Sequence, residues 1–292
     1  MRKLLLSTLF VLLLTVSAAS AQTLYGIAFQ GNAAPSTLYT VDPSTGAAVA
    51  VGPIGFERCS GADFDAAGTL FATCERADGS DTPVLVTIDP MTGAGTEIGP
   101  TGLTGAVTDI SFRADGTLFA YDATNAPNHT LHTIDTATGM STLVGDTGLS
   151  LAGGNGMTFD LEGVLYHSQF TGGPNTALNT IDPATAVVTP VGQVPPVIGR
   201  FNALEVDPQT GTIYGVVNDG AGGGGPNTLA TIDTTIVAAT LIGATENGLT
   251  ALAFEPLPLP PSPIEIPTLG EYGLMALVLL LAGFGFYFMR RR

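Results

Sequence analysis

Apolar and polar positions alternate in short runs along most of this chain, and the runs recur. The stretch LYTVDPSTGAAVAVG (38–52) returns as LVTIDPMTGAGTEIG at Leu85, LHTIDTATGMSTLVG at Leu131, LNTIDPATAVVTPVG at Leu178 and LATIDTTIVAATLIG at Leu229. The starts lie 47, 46, 47 and 51 residues apart, a period typical of four-stranded propeller blades. A second phrase accompanies the first, in GADFDAAGTLFATC, DISFRADGTLFAYD, GMTFDLEGVLYHSQ and ALEVDPQTGTIYGV. Each unit thus supplies four short runs rich in Val, Ile, Leu, Phe, Tyr and Thr, separated by Gly, Asp and Pro, which reads as strands and turns. No 3.6-residue period is sustained outside the terminal segments. The core is all-β.

The turns carry their own chemistry. Gly68, Gly116, Gly163 and Gly211 fall in register between the first two strands of their units, where a positive φ closes a type I turn with a bulge. Asp42, Asp89, Asp135, Asp182 and Asp233 open the turns between the last two strands, where an aspartate bonds its own backbone two residues on. Ala186 and Val237 stand where glycine is expected. A metal loop would tolerate such drift poorly, so these are structural turns. One blade cannot bury both faces of its sheet, whereas five stacked radially cover each other. Pro190 falls in an outermost strand, where a missing N–H does little harm.

The strands are out of phase with the termini. The chain begins with strands two to four of a blade (23–52) and ends with a first strand, Leu249 to Glu255. Pairing these closes the ring like a clasp, and residues 22–255 become a five-bladed β-propeller of four-stranded blades. The pattern loosely resembles the NHL and YVTN propeller repeats over the whole core. Such a resemblance implies a fold and hardly constrains function.

Both ends differ from the core. Residues 1–21 combine Arg2 and Lys3, an apolar run from Leu4 to Val16, and Ala19-Ser20-Ala21 before Gln22. That is the form of a helical secretory signal peptide with its cleavage site. Residues 256–267 form a proline-rich linker, expected to be extended. Residues 273–289 then carry no charge over 17 positions, the short limit for a transmembrane helix. Arg290, Arg291 and Arg292 follow, where the positive-inside rule puts the cytoplasmic flank.

Ile266-Pro267-Thr268-Leu269, Glu271 and Gly273, followed by the apolar helix and the arginines, resemble the IPTL-CTERM sorting signal, whose usual form is IPTLSEWG. Gly270 and Tyr272 replace serine and tryptophan, and Tyr272 keeps an aromatic at the membrane interface. The resemblance covers 266–292. It implies a substrate of an exosortase-type transpeptidase in a Gram-negative envelope, cleaved near the motif and passed to the surface or extracellular matrix. A plain single-pass anchor is the alternative, since the helix alone would hold the protein in place.

The chain carries a net charge of −16, and between residues 22 and 255 its basic residues are Arg58, Arg76, Arg113 and Arg200. Nucleic-acid and anionic-lipid partners are disfavoured, because both need a basic footprint. Solubility accounts for the acidity, with divalent cation binding as the alternative. Cys59 and Cys74 sit in an oxidising context, and a hairpin turning about Ala66-Ala67 makes residues summing to 133 oppose each other. A disulfide is expected there, ahead of a reactive or metal-binding pair.

Catalytic signatures are missing from the sequence. There is no nucleophile elbow, Walker loop or Rossmann fingerprint, and GAGGGG at Gly220 leads into another strand. Asn128-His129-Thr130 is formally a glycosylation sequon. His129, His132 and His167 do not cluster and read as single surface or packing residues on strands, and no metal or cofactor is expected. Innermost strands offer Asp63, Asp109 and Glu205 on three blades. Paired carboxyls of this kind serve glycosidases and lactonases around a propeller channel, but the core lacks tryptophan as a sugar platform and no tuning partner is identifiable, so solvated or turn-satisfied carboxylates are the expected reading. A surface- or matrix-delivered binding module is the main expectation, a channel-centred hydrolase the alternative.

Any ligand, a glycan or a surface protein, should meet the face of irregular loops. Aligned on the first turn, Ser60, Thr108, Asn155, Asn202 and Thr250 coincide where each inner strand begins, with Arg58 and Arg200 two residues earlier. A ring of hydrogen-bonding side chains with two arginines on its rim follows. The arginines either attract an anionic or polyhydroxyl ligand or pair with Glu57 and other local carboxylates.

Overall fold

A computed structural model describes residues 22–29, 34–80, 82–105, 107–123, 128–150, 156–170, 176–195, 199–218, 227–257 and 271–290, without the side chains of 271, 272, 274, 283–285 and 288. The signal segment, most of the proline-rich linker, Asn155, Ile266 to Gly270, Arg291 and Arg292 lie outside them. The chain divides into two units, Met1–Leu257 and Pro258–Arg292.

The first unit is a five-bladed all-β propeller. Its strands are β1 (Leu24–Ala28), β2 (Thr37–Val41) and β3 (Ala48–Pro53), then β4 (Glu57–Phe64), β5 (Leu70–Glu75), β6 (Pro83–Ile88) and β7 (Gly95–Pro100). The third blade holds β8 (Val107–Phe112), β9 (Leu118–Asp122), β10 (Thr130–Ile134) and β11 (Ser141–Asp146). The fourth holds β12 (Met157–Phe159), β13 (Leu165–Phe170), β14 (Thr176–Ile181) and β15 (Val188–Val194). The fifth holds β16 (Arg200–Val206), β17 (Ile213–Asn218), β18 (Asn227–Asp233) and β19 (Ala238–Thr245). Finally β20 (Leu249–Phe254) pairs antiparallel with β1, so the first blade reads β20-β1-β2-β3 and the ring is clasped.

Five apolar clusters fill the five joints between blades. Tyr25, Ile27 and Leu38 of the first blade, for instance, pack on Ala62, Phe64 and Val84 of the second. An aromatic contact repeats from joint to joint: Tyr25 on Phe64, Phe71 on Phe112, Phe119 on Phe159 and Tyr214 on Phe254, with centroids 5.3 to 5.6 Å apart. Each pairs a second strand with the inner strand of the next blade, in the tilted or edge-on arrangement that aromatic rings prefer. The fourth joint packs Tyr166 and Val206 at this level. Covering by neighbours on both faces is why β5 is buried along its whole length, as in sheets enclosed on two sides.

The repeated phrase acts as a lock between blades. Its last glycine (Gly52, Gly99, Gly145, Gly192, Gly243) follows a bulge that shifts the register of every outer strand. A Cβ there would meet the turn of the adjoining blade's phrase: Thr92 for Gly52, Thr138 for Gly99, Thr185 for Gly145, Val237 for Gly192 and Thr45 for Gly243. The turn glycines Gly46, Gly93 and Gly139 have φ near 80°, and Ala186 and Val237 keep the same left-handed conformation at 61° and 52°. Backbone geometry there is imposed by the joint, at a local cost on the order of 1–2 kcal/mol for a residue with a Cβ.

The second unit contains one described helix, α1 (Glu271–Met289), of 19 residues. It begins two residues before the uncharged stretch expected from the sequence. At about 1.5 Å per residue it is nearly as long as a bilayer core is thick. Among the described residues no helix is long and apolar enough to cross a membrane.

Candidate functional site

The aligned polar positions turn out to be bulge positions. Thr108, Asn202 and Thr250 are each the extra residue where an inner strand slips by one against its neighbour. In the second blade the slip is wider, since Glu57 faces Glu75 and Gly61 faces Thr73, leaving residues 58 to 60 opposite Cys74 alone. The hairpin register sums to 134 below the bulge and 132 above it, rather than 133 throughout. Cys59 reaches Cys74 because the bulge centres it there, and the two form a disulfide.

Most of these side chains bridge blades. Ser60 Oγ donates to the Val107 carbonyl, Thr250 Oγ1 to the Cys59 carbonyl at 2.8 Å, and Asn202 Nδ2 to the Leu249 carbonyl at 3.5 Å. Val107 and Leu249 immediately precede the bulge residue of the next blade, and Cys59 lies within the wider bulge of the second. Thr108 Oγ1 donates within its own blade, to Tyr121 at 3.3 Å.

The two arginines part company. Arg200 stacks over Phe170, its guanidinium carbon 5.5 Å from the ring centre. Arg58 Nη1 lies 3.1 Å from Glu75 Oε2 and 3.4 Å from Oε1. Arg58 has φ 46°, and the equivalent residue of the first blade is Gly248, with φ 76°. A left-handed arginine costs on the order of 1–3 kcal/mol, and the adjoining disulfide pins the strand that carries it. Around this pair, between the first and second blades on the loop face, is a depression of about 230 Å³ lined by Phe29, Arg58, Cys59, Ser60, Glu75 and Thr250. Glu75 and Phe29 were not legible as site residues. The only hint for Glu75 was its place beside Cys74, across the hairpin from Arg58.

Below the rim the inner strands are buried. Inner-strand side chains alternate in layers, as the two-residue period requires. One layer is Gly61, Asp109, Gly156, Ala203 and Ala251, and the next is Asp63, Ser111, Thr158, Glu205 and Ala253, all buried. An inner strand is a sheet edge whose free N–H groups point at the adjoining blade, and buried N–H groups need acceptors. The carboxyls supply them. Asp63 Oδ2 accepts Phe112 N–H at 2.6 Å, Glu205 Oε1 accepts Phe254 N–H at 3.3 Å, and Ser111 Oγ accepts Phe159 N–H at 3.1 Å. Asp109 Oδ2 accepts Met157 N–H at 2.8 Å, while its Oδ1 accepts Ile110 N–H at 3.0 Å. Burial pushes Asp63 up to about 7 and holds Asp109 and Glu205 well above the carboxylate range, with the Asp63 charge adding to both and Asp109 adding to Glu205.

The histidines, scattered in sequence, are not all scattered in space. Tyr121 stacks on His167 with centroids 4.2 Å apart, and its hydroxyl lies 3.1 Å from His129 Nδ1. His132 points to the other face of its strand, Nε2 2.9 Å from Thr130 Oγ1. Burial lowers His167 to about 3, with His129 adding to the effect, so its ring is neutral. Both of its ring nitrogens are buried without a hydrogen-bond partner. Among the described residues no group of histidine, cysteine and carboxylate side chains could hold a metal.

Residues 266–292 match the family model of the IPTL-CTERM motif. The propeller is similar to solved structures across most of its length. A chain of a nidogen/laminin complex superposes with a TM-score of 0.53 at 15% identity, over 80% of this chain and 98% of that one. TolB from Acinetobacter baumannii gives 0.49 at 16% identity, over 80% and 54%. A chain provisionally called a 6-phosphogluconolactonase from Bacteroides fragilis gives 0.47 at 10%, over 82% and 99%. At these identities the likeness is one of fold. Among curated protein sequences none matches this chain.

Proposed function

We propose that this chain is an exported propeller acting as a non-catalytic binding module at the cell surface or in the extracellular matrix, with its C-terminal segment as the address. The observation that carries this reading is the IPTL-CTERM motif at 266–292 on a chain whose propeller has a depression on its loop face. On this reading residues 1–21 direct export. Residues 273–289 hold the precursor in the inner membrane with the terminal arginines on the cytoplasmic side. An exosortase-type transpeptidase then cuts near Ile266 to Gly273 and passes the propeller outward.

A binding role is supported by how the buried inner-strand carboxyls are used, since their oxygens accept backbone N–H groups. Mass spectrometry of the surface-exposed protein tests the address: loss of the arginine-bearing C-terminus is expected, and an intact Arg292 would instead mark a plain anchor. Binding of the full chain to glycan and protein arrays, without turnover, tests the module. The raised protonation ranges of Asp63, Asp109 and Glu205 keep a hydrolase as the second reading. Turnover of a panel of polysaccharides and lactones, abolished in Asp109→Asn, would establish that alternative.

A further inference from the structure

The depression between the first and second blades has a chemistry that narrows what it can hold. Arg58 and Glu75 stand in it as a pair at 3.1 Å. A lone guanidinium would select an anion, but here the carboxylate cancels the charge, and a chain of net charge −16 repels anions at long range. Together the two groups present a planar fork of donors beside carboxylate acceptors. That is the complement of two neighbouring hydroxyls, each of which donates and accepts. Ser60 and Thr250 give their hydroxyl hydrogens to the Val107 and Cys59 carbonyls, so each oxygen keeps lone pairs for a ligand hydroxyl. Phe29 adds an apolar wall for the carbon face of a ring. About 230 Å³ is less than the roughly 300–1,000 Å³ of sites for drug-sized molecules, which suits one ring and not an extended chain.

Backbone geometry points to the same place. Residues in sparsely populated conformations gather at binding sites when the surroundings hold them there. Arg58 is a left-handed arginine at a position that is glycine in the first blade, on a bulge wider than the other described inner-strand bulges, tied by the Cys59–Cys74 disulfide.

We infer that this depression binds a single neutral sugar residue, such as a terminal hexose of a glycan, gripping neighbouring hydroxyls between Arg58 and Glu75. The inference rests on the binding-module reading and names its ligand class. The test uses the full chain in detergent on two immobilised sets, glycans ending in neutral hexoses and matched glycans ending in hexuronic acids. Retention on the neutral set is expected, reduced at least about tenfold in Arg58→Gly and in Glu75→Gln. Arg58→Gly relieves the left-handed strain but takes the ion-pair partner from Glu75, so retention is compared at a temperature below the melting point of every variant. Equal retention by both variants, preference for the hexuronic set, or no retention of any glycan by the parent chain would each overturn the inference. The binding-module reading fails separately, only if a protein array also retains nothing.

Discussion

Asp109 Oδ2 accepts the backbone N–H of Leu204 at 3.4 Å, across a separation of 95 residues and two blades round the ring. With Met157 on the same oxygen, one carboxyl joins three inner strands at the axis. Asp109→Ala would leave several buried N–H groups without an acceptor, each costing on the order of 1–3 kcal/mol. We expect Asp109→Ala to lower stability by about 3 kcal/mol or more and Asp109→Asn by less, since the amide keeps one acceptor. Urea midpoints decide this. Two unchanged midpoints would mean that the axis is held by other contacts.

Buried acids and a buried histidine pull stability in opposite directions with pH. Asp63 is raised in the fold from 3.8 to about 7, so its contribution is whole below about pH 4 and is lost as pH rises through 7. Asp109 and Glu205 act with the same sign. His167 is lowered from 6.5 to about 3, so its contribution is whole above 6.5 and is lost as pH falls toward 3. Between about pH 4 and 6.5 the three acids therefore act against the one histidine, and melting temperature should fall as pH rises through that window toward 7. Asp63→Asn should make that fall shallower, and His167→Gln should make it steeper. A slope unchanged in Asp63→Asn would contradict the assignment.

Two glycines separate conformational strain from collision. Gly68 has φ 85° and open space where a methyl would be added, so Gly68→Ala should cost only about 1–2 kcal/mol. Gly52 has no left-handed requirement, yet a Cβ there would strike the Thr92 carbonyl of the next blade. Gly52→Ala should cost at least as much as the roughly 1–3 kcal/mol of ordinary overpacking, by forcing two blades apart. Thermal melts of the two variants should rank Gly52→Ala as the more damaging. The reverse order would remove the glycine lock as the reason for the repeated phrase.

Reduction of the Cys59–Cys74 bridge, which closes a separation of 15 residues, should cost about 3 kcal/mol. It should also release Arg58 from its left-handed conformation. Melting with and without reductant, compared with a Cys59→Ser/Cys74→Ser variant, measures the first effect. Glycan retention by the same samples reads the second.

The architecture was legible in the sequence, because what specifies a propeller is local and repeated. The blade period, the positive-φ glycines such as Gly68 and Gly116, the aspartate turns and the split blade closed by Leu249 to Phe254 are each set within a few residues or by counting. The 266–292 motif could be read for the same reason. The site was legible only in part. Ser60 and Thr250 were aligned correctly, but that they sit on bulges and spend their hydrogens on the next blade depends on a register slip that no pattern announces. A wider bulge opposite Cys74 turned Arg58 toward Glu75. Convergence of His129 and His167 on Tyr121, and the capture of Leu204 by Asp109, bring together groups on separate blades. Only the closed ring decides such contacts, since the free N–H groups of each inner strand must find acceptors on whatever blade the closure sets beside them.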